Sequence, residues 1–324
     1  MTTTHAAVVT EFGKSPSYAE FELPAIAEGQ ELVDVLAVGL HPRTRSGAAG
    51  THYTSTGALP LIPGIDDVGR RADGRLVYFA ADDDTLGTVA EQTIIDSRRC
   101  IELPDDADVV TIAAAMNPAM SSWVSLRARY ELQPGARVLV LGATGNAGGM
   151  AVEIAKLLGA GEVIGAGRDP ERLAALRDRG ADAVVALTDD TDATARAFAE
   201  AAAEVDVVLD YLWGATTANA IVAILTARAD RSRALDWIEI GSMAGQELQL
   251  PSAALRSANL RLLGSGQGSV SPRGYLAQLP SLVDEIDAGR IGVRTREVAL
   301  ADVERVWTEP DEPGVRTVIR VGRR

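Results

Sequence analysis

The stretch RVLVLGATGNAGGMAVEIAKLLGA, Arg137 to Ala160, decides how this chain folds. It opens with an unbroken apolar run, Val138 to Leu141, which is typical of a strand buried inside a parallel sheet. Glycines then follow at three-residue spacing, and apolar residues recur after them at the helical period. A strand, a glycine turn and a helix in this order place the first amides of the helix where a pyrophosphate can approach them. The stretch therefore predicts a dinucleotide-binding unit.

The residues after the second strand of such a unit distinguish the two nicotinamide dinucleotides. An acidic residue about 20 positions after the glycines usually binds the ribose 2′-hydroxyl of NAD. Here Gly167 takes that position, and Arg168 beside it carries a guanidinium suited to the 2′-phosphate of NADPH. Arg172 follows one helical turn later, whereas Asp169 is expected to cap the next helix with Pro170 at its first position. These residues favour NADPH over NADH.

Length, charge and cysteine content narrow the class of protein. The chain has 324 residues, enough for two domains with substantial cores. Its formal net charge of −14 argues against nucleic acid or a membrane surface as a partner. We find no run of about 20 apolar residues that would span a membrane and no signal-peptide pattern at the N-terminus. The single cysteine, Cys100, fits a reducing compartment, so we expect a cytoplasmic protein.

The pattern of elements changes along the chain. Gly, Pro and Asp clusters divide the first hundred residues into short strands, which indicates a β-rich domain. A helical segment follows from Asp108 to Tyr130. Six strands are then predicted between residues 137 and 264, with helices in most of the connections. Parallel strands with right-handed crossovers form a doubly wound sheet, so the expected fold class is α/β. A helix from Gly274 to Ala288 and two β-type segments complete the chain.

Several short motifs together resemble one known family. They are Ala37-Val38-Gly39-Leu40-His41-Pro42, Arg45-Ser46-Gly47, Pro63-Gly64-Ile65-Asp66, Ser121-Ser122-Trp123, the turn Gly142 to Gly148, and Asp206-Val207-Val208-Leu209-Asp210. With them the chain resembles the medium-chain dehydrogenase/reductase superfamily, and within it the zinc-free quinone oxidoreductase-like branch. The resemblance implies a Rossmann doubly wound parallel sheet (residues 116–266) inserted in a β-rich, GroES-like catalytic domain (residues 1–115 and 267–324). It also implies a homodimer formed through the edge of the Rossmann sheet.

The same resemblance bears on zinc, which some members of this superfamily bind. Their ligand positions correspond here to His41, Ile65 and Asn117. An isoleucine has no donor atom, and an amide is a poor zinc ligand compared with a thiolate or an imidazole. A set of His41, His52 and Asp66 is the remaining and weaker metal candidate. We expect a protein that works without a metal ion.

Without a metal, polar side chains must hold or protonate the anion that a hydride creates on a substrate. The candidates are His41 and Asn117, at the vacated ligand positions, and Tyr53, where the resemblance places a tyrosine near the nicotinamide. His41 is an acid or donor on one interpretation and a support for the strand-to-loop turn on the other. Asn117 either orients a carbonyl or caps a turn, and Tyr53 either contacts substrate or packs. Asp66 is expected to brace loop amides or Arg45.

The expected cofactor contacts lie mainly at the carboxyl ends of the predicted strands, where ligands bind in doubly wound sheets. The resemblance adds a small hydroxyl residue, Ser121, against the nicotinamide ring. The full set is Ser121, Gly142, Thr144, Gly145, Asn146, Ala147, Gly148, Gly167, Arg168, Arg172, Gly241, Ser242, Met243, Ser265 and Gly266.

The residues and the resemblance lead to one preferred function and two alternatives. We expect an NADPH-dependent, zinc-independent oxidoreductase that transfers hydride to a small electrophile, either a quinone or an α,β-unsaturated carbonyl compound. An NADPH-dependent ketone or aldehyde reductase is the alternative among enzymes. A non-catalytic sensor that binds NADPH is the alternative among binding proteins.

Overall fold

The chain divides into two compact units in the computed structural model, which describes residues 2–52, 54–81, 85–312 and 314–322. The first unit comprises Met1–Asn117 and Leu279–Arg324, and the second comprises Pro118–Gln278. The second unit is therefore an insertion in the chain of the first.

Strands and helices are numbered separately along the chain. The strands are β1 (Thr2–Val8), β2 (Ser17–Leu23), β3 (Gln30–Gly39), β4 (Asp66–Arg71), β5 (Leu76–Ala80), β6 (Gln92–Asp96), β7 (Cys100–Glu102), β8 (Arg137–Leu141), β9 (Glu162–Gly167), β10 (Ala183–Ala186), β11 (Val207–Asp210), β12 (Leu235–Glu239), β13 (Leu260–Gly264), β14 (Arg294–Ala299) and β15 (Val315–Arg320). The helices are α1 (Pro42–Ala48), α2 (Val109–Val124), α3 (Asn146–Leu157), α4 (Pro170–Ala175), α5 (Thr191–Ala202), α6 (Gly214–Ala227), α7 (Ser252–Arg256), α8 (Pro272–Leu276), α9 (Leu279–Asp287) and α10 (Val303–Thr308). Short 3₁₀ turns lie at Ser97–Arg99 and Leu300–Asp302.

The sheet of the second unit is parallel and runs in the order β10-β9-β8-β11-β12-β13 over its described strands. This order reverses between β8 and β11, which is the switch point of a doubly wound dinucleotide fold. Val138 to Leu141 on β8 have no exposed surface, as a strand covered on both faces requires. The expected fold class is confirmed.

The sheet of the first unit runs in the order β14-β15-β3-β4-β5-β7, with β6 also paired to β3, and β1 and β2 form a separate pair. Its core joins Val33, Val77, Phe79, Ile95 and Ile319. The β-rich character predicted from the sequence is present. The elements that the sequence did not predict are the strands β2 and β7 and the helices α1, α7 and α10. Strand β7 and the three helices have three to seven residues each, which do not complete enough periods to distinguish a helix or a strand from a loop. Strand β2 has seven residues, but most of them are exposed or half-buried, so they give no apolar run.

The expectation that no apolar segment is long enough to span a membrane is wrong for the region of helix α2. With the π-helical turn that follows it, it forms a helical run, Val109–Arg129, of 21 residues and mean hydropathy 1.3, long and apolar enough to cross a membrane. About two thirds of its apolar window (67%) is buried inside the protein, which is the pattern of a core helix. Ala114, Ala115 and Met116 have no exposed surface.

The predicted helix from Gly274 to Ala288 is wrong in one respect, because it is two helices. Helix α8 ends at Leu276 and α9 begins at Leu279. Pro280 has no N–H to donate to the carbonyl four residues earlier, which belongs to Leu276. The first helix therefore ends where that hydrogen bond would have been needed.

Candidate active site

The glycine turn between β8 and α3 is closely packed, and no side chain caps the helix that follows it. Gly142 has a φ of 84°, a left-handed conformation that favours glycine. A Cβ on Gly148 would lie 2.7 Å from Ala143 Cα, so only glycine lets α3 approach the turn this closely. Gly145 precedes α3 without a capping side chain, and the first amides of a helix have no carbonyl partner in their own helix. Asn146 and Ala147 provide the first two of these amides.

The end of β9 carries the residues predicted to select the cofactor. Gly167 ends the strand, and a Cβ on it would lie 2.6 Å from the hydroxyl of Thr144 in the glycine turn. The side chain of Arg168 is exposed, and no hydrogen bond or ion pair to it is found within the described parts of the chain. Asp169 caps α4 by accepting from the amides of Glu171 and Arg172 at 3.0 and 3.1 Å, which confirms its expected capping role. Both of these hydrogen bonds go to the Oδ1 atom of Asp169.

The loops after β12 and β13 contain the other predicted cofactor contacts. The amide of Gly241 donates to Asp210 O, and that of Met243 donates to Tyr211 O, so this loop lies along the carboxyl end of β11. Ser242 lies between them, and the Met243 side chain is 73% exposed.

Ser265, which follows β13, is buried. Its hydroxyl lies 2.8 Å from Ser125 Oγ, which donates its own proton to Ser121 O at 2.6 Å, and its amide donates to Glu239 O. Gly266 donates its amide to Ser269 Oγ. The hydroxyl of Ser265 is thus already engaged, while the turn at Gly266 is held from within the loop.

Ser121 and Tyr211 form a hydroxyl pair in the second unit. Ser121 Oγ donates to Pro118 O at 2.7 Å and lies 2.8 Å from Tyr211 Oη. A serine hydroxyl has one proton, so Tyr211 is the donor in the pair. Burial raises the pKa of Tyr211 to about 12, which keeps the phenol protonated at neutral pH. The place of Tyr211 in the hydroxyl pair is visible only in the structure.

The backbone directly after β11 is strained. Trp213 has a φ of 57°, in the left-handed region that non-glycine residues rarely adopt. Asp210 holds this turn, because its carboxylate accepts from the amides of Leu212 and Trp213 at 2.8 and 3.0 Å. It also accepts from Thr217 Oγ1 and Trp237 Nε1. Strained backbone of this kind is often found at functional sites, and here it lies at the switch point of the sheet.

In the first unit, the buried carboxylate of Asp66 contacts side chains from three other parts of the chain. Asp66 Oδ1 accepts from Asn117 Nδ2 at 2.8 Å and lies 3.5 Å from His41 Nε2, while Asp66 Oδ2 accepts from the hydroxyl of Tyr78. We call His41, Asp66, Tyr78 and Asn117 the Asp66 cluster. The sequence-based roles of Asp66 and Asn117 need correction. Asp66 does not brace Arg45, which pairs with Asp311 instead, and Asn117 lies inside α2 rather than capping a turn.

His41 is held by both of its ring nitrogens. It precedes α1, and its Nδ1 accepts from the amide of Thr44 at 3.4 Å, so the neutral ring carries its proton on Nε2, facing Asp66. Burial lowers the pKa of His41, although Asp66 opposes this effect. This geometry matches the interpretation of His41 as a support for the turn, and its role as an acid stays a prediction.

Asp67, next to Asp66, is a second buried carboxyl. Its Oδ1 accepts from the amide of Gly39 at 2.7 Å, and its Oδ2 accepts from Thr88 Oγ1. Burial and the neighbouring charge of Asp66 raise the pKa of Asp67 well above its ordinary value. Burial therefore favours the protonated form of the Asp67 carboxyl.

Two further predictions concern Tyr53 and zinc. Tyr53 lies outside the described residues.

Within the described residues, no three His, Cys, Asp or Glu side chains are grouped so that they could hold a metal ion. At the three positions that correspond to zinc ligands, His41 is already bonded through both ring nitrogens, Ile65 has no donor atom, and Asn117 is held by Asp66. These side chains do not fit a zinc ion.

The chain is similar to several known proteins. A family model described as zinc-binding dehydrogenase matches residues 147–282. The probable NADPH-dependent quinone reductase of Emericella nidulans is 29% identical over 97% of this chain and 99% of its own length. These matches support the resemblance to the medium-chain dehydrogenase/reductase superfamily that the sequence motifs indicate.

A second relative and two solved structures extend the comparison. The chloroplastic NADPH-dependent alkenal/one oxidoreductase of Arabidopsis thaliana is 26% identical over 51% of this chain and 47% of its own length. A mycobacterial protein solved in complex with NADPH superposes with a TM-score of 0.78 at 22% identity, covering 98% of this chain and 99% of that one. The quinone oxidoreductase of Pseudomonas syringae pv. tomato DC3000 superposes with a TM-score of 0.81 at 20% identity, covering 98% and 100%. These two likenesses establish the fold.

Proposed function

We propose that this protein is an NADPH-dependent, zinc-independent oxidoreductase that transfers hydride to a quinone or to an α,β-unsaturated carbonyl compound. The observation that carries the proposal is the glycine turn between β8 and α3, where Gly148 allows close approach and no side chain caps the helix. The relatives named above for NADPH-dependent reduction of quinones and of alkenals or enones support the cofactor and the substrate class.

The second unit supplies the groups that fit NADPH. The first amides of α3 would hold the pyrophosphate, because the helix dipole favours an anion there. Arg168 would bind the 2′-phosphate with its exposed guanidinium, and Arg172 follows it on α4. The remaining predicted contacts would lie along the nicotinamide half: Ser121, Gly241, Ser242, Met243, Ser265 and Gly266. When bound, NADPH would supply the hydride.

Asn117 is the member of the Asp66 cluster that we assign to the substrate. Its amide gives one N–H to Asp66, and no other hydrogen bond of its side chain is found within the described residues. A second N–H and the amide oxygen are therefore available to orient a substrate carbonyl. Asp66 fixes the orientation of that amide, His41 supports the turn beside it, and solvent completes the protonation.

The test is NADPH oxidation, followed by absorbance, with a benzoquinone, an α,β-unsaturated ketone, a saturated ketone and an aldehyde, each with and without a chelator. We expect oxidation by the quinone or the enone that a chelator does not change. Activity confined to the saturated carbonyls, or lost with chelator, would contradict the proposal and favour the dehydrogenase alternative. NADPH binding without oxidation by any of the four would favour a sensor.

A further inference from the structure

Arg316 on β15 is a buried cation that is poorly compensated. Its side chain lies in the first unit and is only 7% exposed. Its Nη1 donates to Leu40 O at 3.2 Å, while its Nε is buried with no hydrogen-bond partner. No carboxylate of the described residues pairs with it. Its nearest electrostatic partners, Asp311 and Asp66, act on it only as charges at a distance.

Another buried arginine shows how this fold treats a guanidinium that is only structural. Arg228 in the second unit is 3% exposed, and its two Nη groups donate to three backbone carbonyls, those of Ala203, Val205 and Ala234. The Nε of Arg228 has no hydrogen-bond partner, as in Arg316, so the two arginines differ in their Nη groups: three backbone carbonyls accept from Arg228 and one accepts from Arg316. Burying a charge without hydrogen bonds or a counter-ion is costly, and burial lowers the pKa of Arg316 accordingly. The folding of the first unit alone therefore does not explain why Arg316 is buried with so few hydrogen bonds.

The position of Arg316 connects it with the candidate substrate site. Leu40, which accepts its hydrogen bond, is directly followed by His41 of the Asp66 cluster. The positive charges of Arg316 and Arg43 both lower the pKa of His41, so both cations lie close enough to act on that ring. Asp311 and Asp66 are the carboxylates whose charges act on Arg316, and burial together with Asp66 favours the protonated form of Asp67. Arg316 is thus a buried cation beside the Asp66 cluster.

We propose that Arg316 is a substrate-binding residue whose guanidinium holds the substrate oxygen that becomes negatively charged during reduction. The inference rests on the proposed function. The hydride forms a C–H bond at the electrophilic carbon, the displaced π-electron pair moves to the conjugated oxygen, and NADPH is oxidised to NADP⁺. A proton from water then neutralises that oxygen. Between the hydride transfer and this protonation, the preorganised guanidinium of Arg316 stabilises the negative charge on the substrate oxygen.

The first experiment measures anion binding without turnover. 4-Nitrophenol, whose phenolate resembles a reduced quinone anion, is titrated with pH in the presence of the full-length protein, with and without NADP⁺. We expect the pKa of bound 4-nitrophenol to fall by about one unit, because an adjacent cation favours the phenolate. The shift should disappear in Arg316→Met and remain in Arg320→Met, an exposed arginine on the same strand. A shift that persists in Arg316→Met overturns the inference.

The second experiment separates a substrate role from a cofactor role. In Arg316→Met we expect kcat/KM for the quinone or enone to fall about 100-fold, as on loss of an oxyanion donor, with the Kd for NADPH changed less than about 2-fold. Arg316→Lys, which keeps the charge, should recover part of the activity and serves if the methionine variant does not fold. An equal loss in NADPH binding, or an unchanged kcat/KM, overturns the inference. If no quinone or enone is reduced at all, the proposed function fails and the phenolate titration alone decides the inference.

Discussion

Individual side chains of the first unit take their roles from partners that lie on other elements. Asp66 on β4 holds Tyr78 on β5 and Asn117 on α2, and it faces His41 ahead of α1. An ionised carboxylate can accept several hydrogen bonds at once, so one buried residue orients an amide, a phenol and an imidazole. The amide and the imidazole are the two candidate catalytic residues that the structure describes.

The selectivity for NADPH is tested at Arg168. Replacing it in Arg168→Ala removes an exposed guanidinium beside the end of β9, so we expect the KM for NADPH to rise about 10-fold or more while that for NADH changes little. Steady-state kinetics with both cofactors measure this. Arg177→Ala, another exposed arginine of the same unit, is the control and should leave both values unchanged. Equal effects of Arg168→Ala on the two cofactors would show that it does not bind the 2′-phosphate.

The pH dependence of stability is tested at Asp67. Burial and Asp66 raise the pKa of Asp67, so the folded protein keeps a proton that the unfolded chain releases near its ordinary pKa of 3.8. The stabilisation from this proton is therefore complete below that value and is lost as the pH rises. Asp67→Asn has no such proton, and its amide can serve both Gly39 and Thr88. Between about pH 4 and pH 7 we expect the wild type to lose stability relative to Asp67→Asn. The difference between their free energies of unfolding should change by no more than about 1.4 kcal/mol per pH unit.

Urea unfolding of both proteins at a series of pH values measures this difference. A constant difference between Asp67→Asn and the wild type across that range would contradict the raised pKa.

At the scale of elements, the junction of β8, the glycine turn and α3 depends on how closely backbone approaches backbone. Gly142 and Gly148 meet different requirements, because Gly142 needs a left-handed φ and Gly148 needs the absence of a Cβ. Gly145 has an ordinary φ of −79°, and its Cβ would lie 3.3 Å from Gly142 O. In the sequence the three glycines form one motif with a regular spacing. In the folded turn, the cost of adding a side chain differs among the three positions.

This difference gives a matched pair of substitutions. Gly148→Ala places a Cβ against the backbone of Gly142 and Ala143, so α3 must move, and we expect a loss of about 3 kcal/mol in the free energy of unfolding. Gly145→Ala needs only a small adjustment, and we expect a loss below about 1 kcal/mol. Urea denaturation of the two variants beside the wild type measures both. Equal losses would mean that the close approach at Gly148 does not stabilise the turn.

At the scale of the whole molecule, the sheet of the second unit ends in a strand that is paired on one side. In the described sheet, β13 pairs with β12, and Leu262 on it is 38% exposed. An unpaired strand edge with an exposed apolar side chain is a surface on which a second copy can add its own strand. We therefore retain the homodimer through this edge as a proposal.

Light scattering coupled to size-exclusion chromatography tests the homodimer. We expect the wild type to elute with twice the mass of the chain and Leu262→Asp to elute as a single chain, because a charge on the edge opposes strand pairing. Leu157→Asp, which changes a similarly exposed leucine on α3, is the control and should stay dimeric. A wild type with the mass of one chain would contradict the proposal.

The second unit was predictable because its signals are local. The buried run of β8, the glycine turn and the period of α3 are contained in 24 consecutive residues, counted from Arg137 to Ala160. Asp169 and Pro170 marked the start of α4 in the same way, through a cap and a fixed φ that involve near neighbours. Short elements such as β7 and α10 lacked such signals and depended on contacts with the rest of the first unit.

The sequence by itself therefore determined the parallel sheet, the glycine turn and the place of Arg168, because residues within a few positions of one another produce them. Only the tertiary structure decided the Asp66 cluster and the burial of Arg316. Their partners are far apart in the chain: Asn117 is 51 residues from Asp66, and Arg316 is 276 residues from Leu40. Spacing carries no information over such separations. The hydrogen bonds and charges that define these residues exist only when strands from both ends of the first unit have paired.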